Sequence, residues 1–166
     1  MRKPTCTFTG HRSSKLPWGG NEKDPRCLEL KTRLADTLEA IYSAGFTHFI
    51  CGMADGADLY FCEAVMALRR EHPEIRMEAA IPFAGQADRW PASQKDRYDR
   101  LVSACDEVTL LGEEYTPQCM MRRNKYMVDH ADILIACYSG QSGGTLNTMR
   151  YALKRDIQIL HLPLLE

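Results

Sequence analysis

Short apolar runs typical of buried β-strands alternate with amphipathic helical patterns along this chain. The runs are rich in β-branched, aromatic and aliphatic residues, and polar or glycine-bearing segments bound them. They cover residues 5–9, 47–51, 75–81, 107–111, 132–138 and 157–162. Because strands separated by helices pair in parallel with right-handed crossovers, the pattern predicts an α/β fold. We expect a single-domain, Rossmann-like three-layer sandwich with a mostly parallel sheet.

Helix signals lie between most of these runs. In the first helix, Asp24 can cap the N-terminus, Pro25 suits the first helical position and Gly45 can end the helix. In the fourth helix, Thr116 is the expected cap and Pro117 follows it in the first turn. The helices are expected from 25 to about 45, from within 55–58 to before 73, and over 91–104, 117–130 and 144–154.

Size and charge limit the kind of partner. With 166 residues, 45% apolar content and no linker-like segment, residues 1–166 fit one globular domain. The 21 basic and 22 acidic side chains nearly cancel, which argues against a broad footprint for duplex nucleic acid or an anionic membrane. We therefore expect a small ligand and disfavour nucleic acid as a partner. An apolar helix face left uncovered would support a homodimer.

The cysteines and the N-terminal residues indicate in which cellular compartment the protein is expected. The chain has seven cysteines, an odd number, and no two of them form a Cys-x-x-Cys pair. Cys6, Cys51 and Cys137 lie within predicted strands. Such buried thiols are typical of a reducing compartment. The chain begins without an apolar signal region, and no apolar run approaches the roughly 20 residues of a membrane span. We expect a cytoplasmic protein without a membrane partner.

Three of the predicted strands end in glycine-bearing turns. The turns read Thr-Gly-His-Arg at residues 9–12, Gly-Met-Ala-Asp-Gly-Ala-Asp at 52–58 and Ser-Gly-Gly-Thr at 142–145. The C-terminal ends of parallel strands meet at one rim of the sheet, where α/β proteins bind small ligands. The turns therefore predict a nucleotide-type site at that rim.

The third turn, with Gly143, Gly144 and Thr145, precedes a predicted helix. Glycines let the backbone approach a ligand closely, and the unpaired N–H groups of a helix start favour an anion. We interpret this turn as a phosphate cradle, although it lacks the Gly-Lys-Ser/Thr ending of a Walker A loop. A plain tight turn of small residues is the alternative.

The second turn carries two carboxylates. Asp55 and Asp58, together with Gly52 and Gly56, lead into the second helix, and their charge would repel a phosphate beside them. We expect them to accept hydrogen bonds from sugar hydroxyls or to bind Mg²⁺, and we assign no other cofactor. The alternative is that either residue only caps the helix.

The first turn contributes Gly10, His11 and Arg12. Arg12 can offer a guanidinium to a phosphate, and His11 can donate, accept or carry a proton, unless it is purely structural. Arg123 and Asn124 join the site if their helix begins at the same rim, and otherwise belong to a solvated basic face. We find no serine-hydrolase motif and no zinc-ligand spacing, so we assign no metal site.

Together these motifs resemble the YpsA-like family of the SLOG superfamily, which also includes DprA and the LOG phosphoribohydrolases. The resemblance rests on the three glycine turns and on Arg-Arg-Asn-Lys-Tyr-Met-Val-Asp at residues 122–129, before the fifth strand, and it extends over nearly the whole chain. It implies a Rossmann-like fold that binds nucleotides or nucleotide-derived signals such as ADP-ribose. The residues that match the family's motifs are Gly10, Arg12, Gly52, Asp55, Gly56, Asp58, Arg123, Asn124, Gly143, Gly144 and Thr145.

One departure from the superfamily concerns catalysis. LOG enzymes carry Pro-Gly-Gly-x-Gly-Thr-x-x-Glu, whose glutamate serves N-glycosidic cleavage, whereas this chain has Thr148 three residues beyond Thr145. The catalytic residue is therefore unknown, and we expect binding or sensing of a nucleotide-derived ligand. DprA-like binding of single-stranded DNA is one alternative. The other is phosphoribohydrolase-like cleavage of an N-glycosidic bond by a substitute carboxylate, drawn from Asp55, Asp58, Glu113 and Glu114.

Overall fold

All six predicted strands form, and each boundary lies within one residue of its prediction. The computed structural model describes residues 3–164. The strands are β1 (Thr5–Thr9), β2 (His48–Cys51), β3 (Arg76–Ile81), β4 (Glu107–Leu110), β5 (Ile133–Tyr138) and β6 (Gln158–Pro163). They make one sheet in the order β4-β3-β2-β1-β5-β6, in which every neighbouring pair is parallel. The chain is thus a single α/β domain.

Five α-helices connect the strands, as predicted. They are α1 (Pro25–Ser43), α2 (Ala57–Glu71), α3 (Ala92–Ala104), α4 (Cys119–Asp129) and α5 (Gly144–Lys154). Asp24 caps α1 by accepting a hydrogen bond of 2.8 Å from the Arg26 N–H. A short 3₁₀ helix, Ser13–Lys15, lies within the connection between β1 and α1.

The predicted start of α4 is wrong. The residue that precedes the helix is Gln118 rather than Thr116. The Cys119 N–H donates to the Thr116 carbonyl at 3.1 Å, so this segment forms a tight turn before the helix. Pro117 occupies the second position of that turn, which its fixed φ suits as well as it suits the first turn of a helix.

The helices cover both faces of the sheet and complete three layers. The larger core cluster includes buried residues of β1, β2, β3 and β5 with those of α1 and α2, and its aromatic centre is Phe8 stacked on Phe61 at 4.8 Å. On the other face, α4 contacts β3 through Met127, and α5 contacts β5 through Ala152. Burial on both faces explains the apolar runs of the interior strands β2 and β5, whereas the edge strands β4 and β6 are largely exposed or half-buried.

The strand order reverses direction between β1 and β5. From β1 the chain builds β2, β3 and β4 to one side, and then returns to add β5 and β6 on the other side. The two adjacent strands therefore send their C-terminal connections apart, which opens a crevice between them. None of the helices in the described part of the chain is long and apolar enough to cross a membrane.

Candidate functional site

A cavity of about 130 Å³ lies at the C-terminal ends of β1 and β5, in the crevice that the strand order creates. Eight of the residues singled out from the sequence line it: Gly10, His11, Arg12, Asp58, Arg123, Asn124, Gly144 and Thr145. Six residues that sequence reasoning missed complete the wall: Phe8, Thr9, Lys15, Ala54, Met120 and Met127. All three glycine turns and the start of α4 thus contribute to one site.

Three glycines allow close packing around this cavity. A Cβ atom on Gly10 would lie 2.8 Å from the Cβ of Ala57, so the first turn packs directly on the start of α2. A Cβ on Gly52 would lie 2.7 Å from the guanidinium of Arg123. Gly56 has φ +85° and approaches the backbone N of Ser13. Gly52 and Gly56 are therefore packing positions and do not line the cavity.

Arg123 ties α4 to the ends of the central strands. Its guanidinium is buried and donates to the carbonyl oxygen of Gly52, to Gln86 Oε1 at 3.4 Å and to Asn124 Oδ1 at 2.9 Å. Burial lowers the pKa of Arg123, while the negative charge of Asp58 opposes that shift. Most of its donors are therefore committed to the protein, and Arg123 forms part of the cavity wall.

Asp58 is the buried carboxyl group of the site. Its Oδ2 accepts a hydrogen bond of 3.1 Å from the Ala54 N–H, across the turn that precedes α2. Burial raises the pKa of Asp58 to about 6, although the charges of Arg123 and Arg12 act in the opposite direction. A carboxyl group with this pKa exchanges its proton near neutral pH, as a general acid or base does.

His11 joins the first and third glycine turns. Its Nε2 lies 3.1 Å from Ser139 Oγ, and its Nδ1 lies 3.5 Å from Thr145 Oγ1. Burial lowers the pKa of His11, and the positive charge of Lys15 lowers it further. The imidazole is therefore neutral at pH 7, and it can donate one hydrogen bond and accept another across the crevice.

Asp55 and Gly56 line a different cavity. Asp55 accepts a short hydrogen bond from Ser13 Oγ, and the neighbouring cavity of about 390 Å³ also includes Trp90 and Arg97. The two carboxylates of the second turn thus face different spaces. Among the described residues, the group of three side chains close enough to share a metal ion is Glu39, Glu71 and His72, at the far end of α2. Among the residues that line the candidate cavity, Asp58 is the one carboxylate, and binding of Mg²⁺ there stays a prediction.

Lys15 is the most consequential residue that sequence reasoning missed. It ends the short 3₁₀ helix after β1, and its Nζ lies 2.7 Å from the point where a Cβ of Gly143 would stand. Gly143 has φ +142° and precedes α5. Lys15 and Arg12 are both exposed and line the same cavity as the start of α5. The signal in the sequence was a second basic residue shortly after the Thr-Gly-His-Arg turn.

DNA processing proteins from two bacteria are among the solved structures that share this fold. DNA processing protein A (DprA) from Streptococcus pneumoniae has a TM-score of 0.64 and 16% identity, over 97% of this chain and 50% of that chain. DprA from Helicobacter pylori, described for its single-stranded DNA binding mode, has a TM-score of 0.67 and 14% identity, over 98% of this chain and 66% of that chain. At these identities the likeness shows the fold alone. The present chain spans about half to two thirds of the two DprA chains.

Sequence comparison gives the family. The SPbeta prophage-derived protein YoqJ of Bacillus subtilis is 34% identical over 145 residues, which cover 80% of this chain and 85% of YoqJ. A family model, that of the YspA SLOG family (YpsA), matches residues 6–160. That match includes all three glycine turns and the start of α4, and it confirms the resemblance that these motifs carry. The chain belongs to the YpsA family of SLOG proteins.

Proposed function

We propose that the cavity at the ends of β1 and β5 binds a phosphate-bearing ligand of the nucleotide class, such as a nucleoside phosphate or ADP-ribose. The observation that carries this proposal is that Arg12 and Lys15 line one cavity together with the first residues of α5. Gly144 and Thr145 open that helix, and the N–H groups of a first helical turn have no partner within the helix. An anion there would meet two cations and the positive end of the helix dipole.

The size of the cavity limits which part of the ligand enters it. A volume of about 130 Å³ is well below the roughly 300–1,000 Å³ of a site that encloses a drug-sized molecule. We infer that a phosphate and part of the adjoining sugar occupy the cavity while the base lies over its mouth. Asp58, ionised at pH 7 and above, is suited to accept a hydrogen bond from a sugar hydroxyl.

Calorimetric titration tests the proposal. The panel is AMP, ADP, ADP-ribose, NAD and other nucleoside monophosphates, with adenosine as the compound that lacks phosphate. We expect at least one phosphorylated compound to bind and adenosine to bind much more weakly. Arg12→Gln should weaken binding by about 10- to 100-fold, the effect of losing a charge-assisted hydrogen bond.

A control variant is matched to the Arg12 variant, and two outcomes of the titration would refute the proposal. Arg70→Gln removes an exposed arginine near the other end of α2 and should leave affinity unchanged. Binding of no compound in the panel would refute a nucleotide site. Equal affinities of the Arg12 and Arg70 variants would refute a phosphate subsite beside Arg12.

Cleavage of an N-glycosidic bond is a second candidate, and the raised pKa of Asp58 favours it. Thr148, at the position of the LOG glutamate, is buried, and its hydroxyl donates to the Gly144 carbonyl at 2.8 Å. It therefore supplies no acid or base. If the protein is a hydrolase, chromatography of the same mixtures should detect free base, and Asp58→Asn should abolish its release. Binding without free base would leave the protein a sensor.

Binding of single-stranded DNA is a third candidate. The near-neutral charge of the chain argues against it, but the likeness to DprA from H. pylori leaves our expectation against nucleic acid without support. The exposed Arg12 and Lys15 border the site where a phosphate backbone would lie. Fluorescence anisotropy with a labelled oligonucleotide at low and at physiological salt separates the cases, since backbone binding weakens steeply with salt. Absence of binding at low salt would exclude this candidate.

A homodimer and a cytoplasmic location stay predictions. Light scattering after size-exclusion chromatography measures the molar mass directly, and 18.9 kDa would indicate a monomer. Fractionation of cells that express the protein tests its location.

A further inference from the structure

The cavity that Asp55 lines is large enough for a ligand of its own. Its volume is about 390 Å³, which lies within the roughly 300–1,000 Å³ of pockets that enclose small organic molecules. Two aromatic side chains, Tyr60 and Trp90, line it. We call this space the aromatic cavity, to separate it from the candidate site at the ends of β1 and β5.

The first two glycine turns border both cavities. Arg12 lines the candidate site, while the next residue, Ser13, lines the aromatic cavity. The same change occurs between Ala54 and Asp55. The two turns are in direct contact, since a Cβ on Gly56 would lie 2.6 Å from the Ser13 N. Because consecutive Cα atoms are about 3.8 Å apart, the two cavities adjoin across a wall about one residue thick.

The protein holds both rings of the aromatic cavity in place. Trp90 is half-buried and packs against Tyr98, with 5.2 Å between the ring centroids and 76° between the ring planes. Tyr60 is buried, and its hydroxyl accepts a hydrogen bond of 3.1 Å from Trp18 Nε1. Rings that are already fixed lose little conformational freedom when a ligand binds. This preorganisation favours a flat ligand that stacks on a ring.

The two cavities differ in charge. Three basic residues and one carboxylate line the candidate site: Arg12, Lys15, Arg123 and Asp58. Two acidic and two basic residues line the aromatic cavity: Glu22, Asp55, Arg89 and Arg97. Arg97 is also paired, with Glu22 at 2.6 Å and with Glu63. A phosphate is therefore favoured in the candidate site, and an uncharged ring suits the aromatic cavity.

Two polar groups of the aromatic cavity have hydrogen-bonding capacity left. Asp55 accepts from Ser13 Oγ through Oδ2, and Gln94 Oε1 accepts from Arg97 at 3.3 Å. Among the residues that the structure describes, Asp55 Oδ1 and Gln94 Nε2 have no hydrogen-bond partner. One is an acceptor and the other a donor. Nucleobases carry both donors and acceptors along their edges, so they match this pair.

We propose that the aromatic cavity binds the nucleobase of the ligand whose phosphate occupies the candidate site. The base, which the small volume of the candidate site leaves outside it, stacks on Trp90. Asp55 and Gln94 hydrogen-bond to its edge, and the sugar crosses the wall between Arg12 and Ser13. This inference rests on the proposed function and adds to it the residues that recognise the base.

Calorimetric titration with AMP and with ribose 5-phosphate, which lacks the base, tests the proposal. AMP should bind at least about 10-fold more tightly, because ribose 5-phosphate cannot stack. Trp90→Leu should weaken AMP binding by about 5- to 100-fold and leave ribose 5-phosphate binding unchanged. Gln94→Ala should weaken AMP binding by about 2- to 10-fold, the effect of one hydrogen bond.

Two further variants separate the base from the phosphate. Arg12→Gln should weaken the binding of both compounds by the same factor. Asp96→Ala, at an exposed position on the same helix as Gln94, is the matched control and should change neither affinity. AMP should also quench the tryptophan fluorescence of the unaltered chain, ribose 5-phosphate should not, and Trp90→Leu should remove most of the quenching.

The outcomes distinguish the base subsite from the phosphate site. Equal affinities of AMP and ribose 5-phosphate, or an AMP affinity that neither the Trp90 nor the Gln94 substitution lowers, would overturn the base subsite and leave the phosphate site standing. Binding of neither compound would overturn both. Gln94 is half-buried on α3, so its variant keeps the proposal open to refutation even if the Trp90 variant fails to fold.

Discussion

Replacing Asp58 by asparagine should stabilise the folded protein at neutral pH, although Asp58 lies in the candidate site. The side chain is buried, and burial raises its pKa from 3.8 to about 6 in spite of the opposing charges of Arg123 and Arg12. The folded state therefore holds the carboxyl proton more tightly than the unfolded state does. Stability therefore falls between pH 3.8 and about 6, where Asp58 is ionised in the unfolded state and still holds its proton in the folded state.

The magnitude follows from the two pKa values. At about 1.36 kcal/mol per pKa unit, the interval from 3.8 to about 6 lowers the free energy of unfolding by roughly 3 kcal/mol at pH 7.5. Asp58 has the higher pKa in the folded state. The folded protein is therefore more stable below pH 3.8, and it loses this part of its free energy of unfolding as the pH rises to about 6. Asparagine has no charge, and its oxygen can still accept the hydrogen bond from the Ala54 N–H.

Urea unfolding from pH 4 to pH 8 measures the effect. The Asp58→Asn variant should exceed the unaltered chain by roughly 3 kcal/mol at pH 7.5 and by less than about 1 kcal/mol near pH 4. Groups whose titration the substitution does not alter cancel in the difference. Glu114→Gln, at an exposed carboxylate, is the control for loss of a carboxyl group outside the core. An Asp58 variant that is less stable at pH 7.5, or a difference that is constant with pH, would refute the argument.

Three other substitutions test the packing and charges around the site, with denaturant unfolding as the measurement. Gly10→Ala should lower the free energy of unfolding by about 1–3 kcal/mol because the new methyl group would clash with the start of α2. Gly20→Ala, in open space, should change it by less than about 0.5 kcal/mol, and equal effects would contradict the packing argument. Arg123→Met should cost about 3–5 kcal/mol because it leaves the buried Asp58 without its main opposite charge; a neutral effect would contradict that role. Burial raises the pKa of Glu22, but hydrogen bonds from an arginine and a lysine outweigh it and lower the pKa. Glu22→Gln should therefore lower the free energy of unfolding by about 0.5–1 kcal/mol above pH 5 and by progressively less as the pH falls. A larger loss of stability at low pH would contradict the lowered pKa of Glu22.

The order and type of the secondary structure elements were predictable because local features specify them. A strand that is covered on both faces must be apolar along its length, so the interior strands could be recognised as runs. The edge strands β4 and β6 are largely exposed or half-buried, and their β-branched and aliphatic residues identified them instead. The start of α1 was predictable because Asp24 and Pro25 act on backbone groups next to them. The start of α4 was not, because Thr116 and Pro117 suit a tight turn and a helix start equally well. In the structure they form the turn, which the Cys119 N–H closes on the Thr116 carbonyl.

The sequence by itself determined that three glycine turns follow strands and so lie at one rim of a parallel sheet. Only the tertiary structure decided which side chains of these turns line the same cavity. Asp55 and Asp58 are three positions apart, yet Asp55 binds Ser13 beside one cavity while Asp58 lines another. Lys15 enters the site because its Nζ reaches Gly143 before α5, more than a hundred residues away. Local sequence patterns reflect contacts between residues that are close in the chain. Contacts between residues that are far apart in the chain depend on how the helices and strands pack.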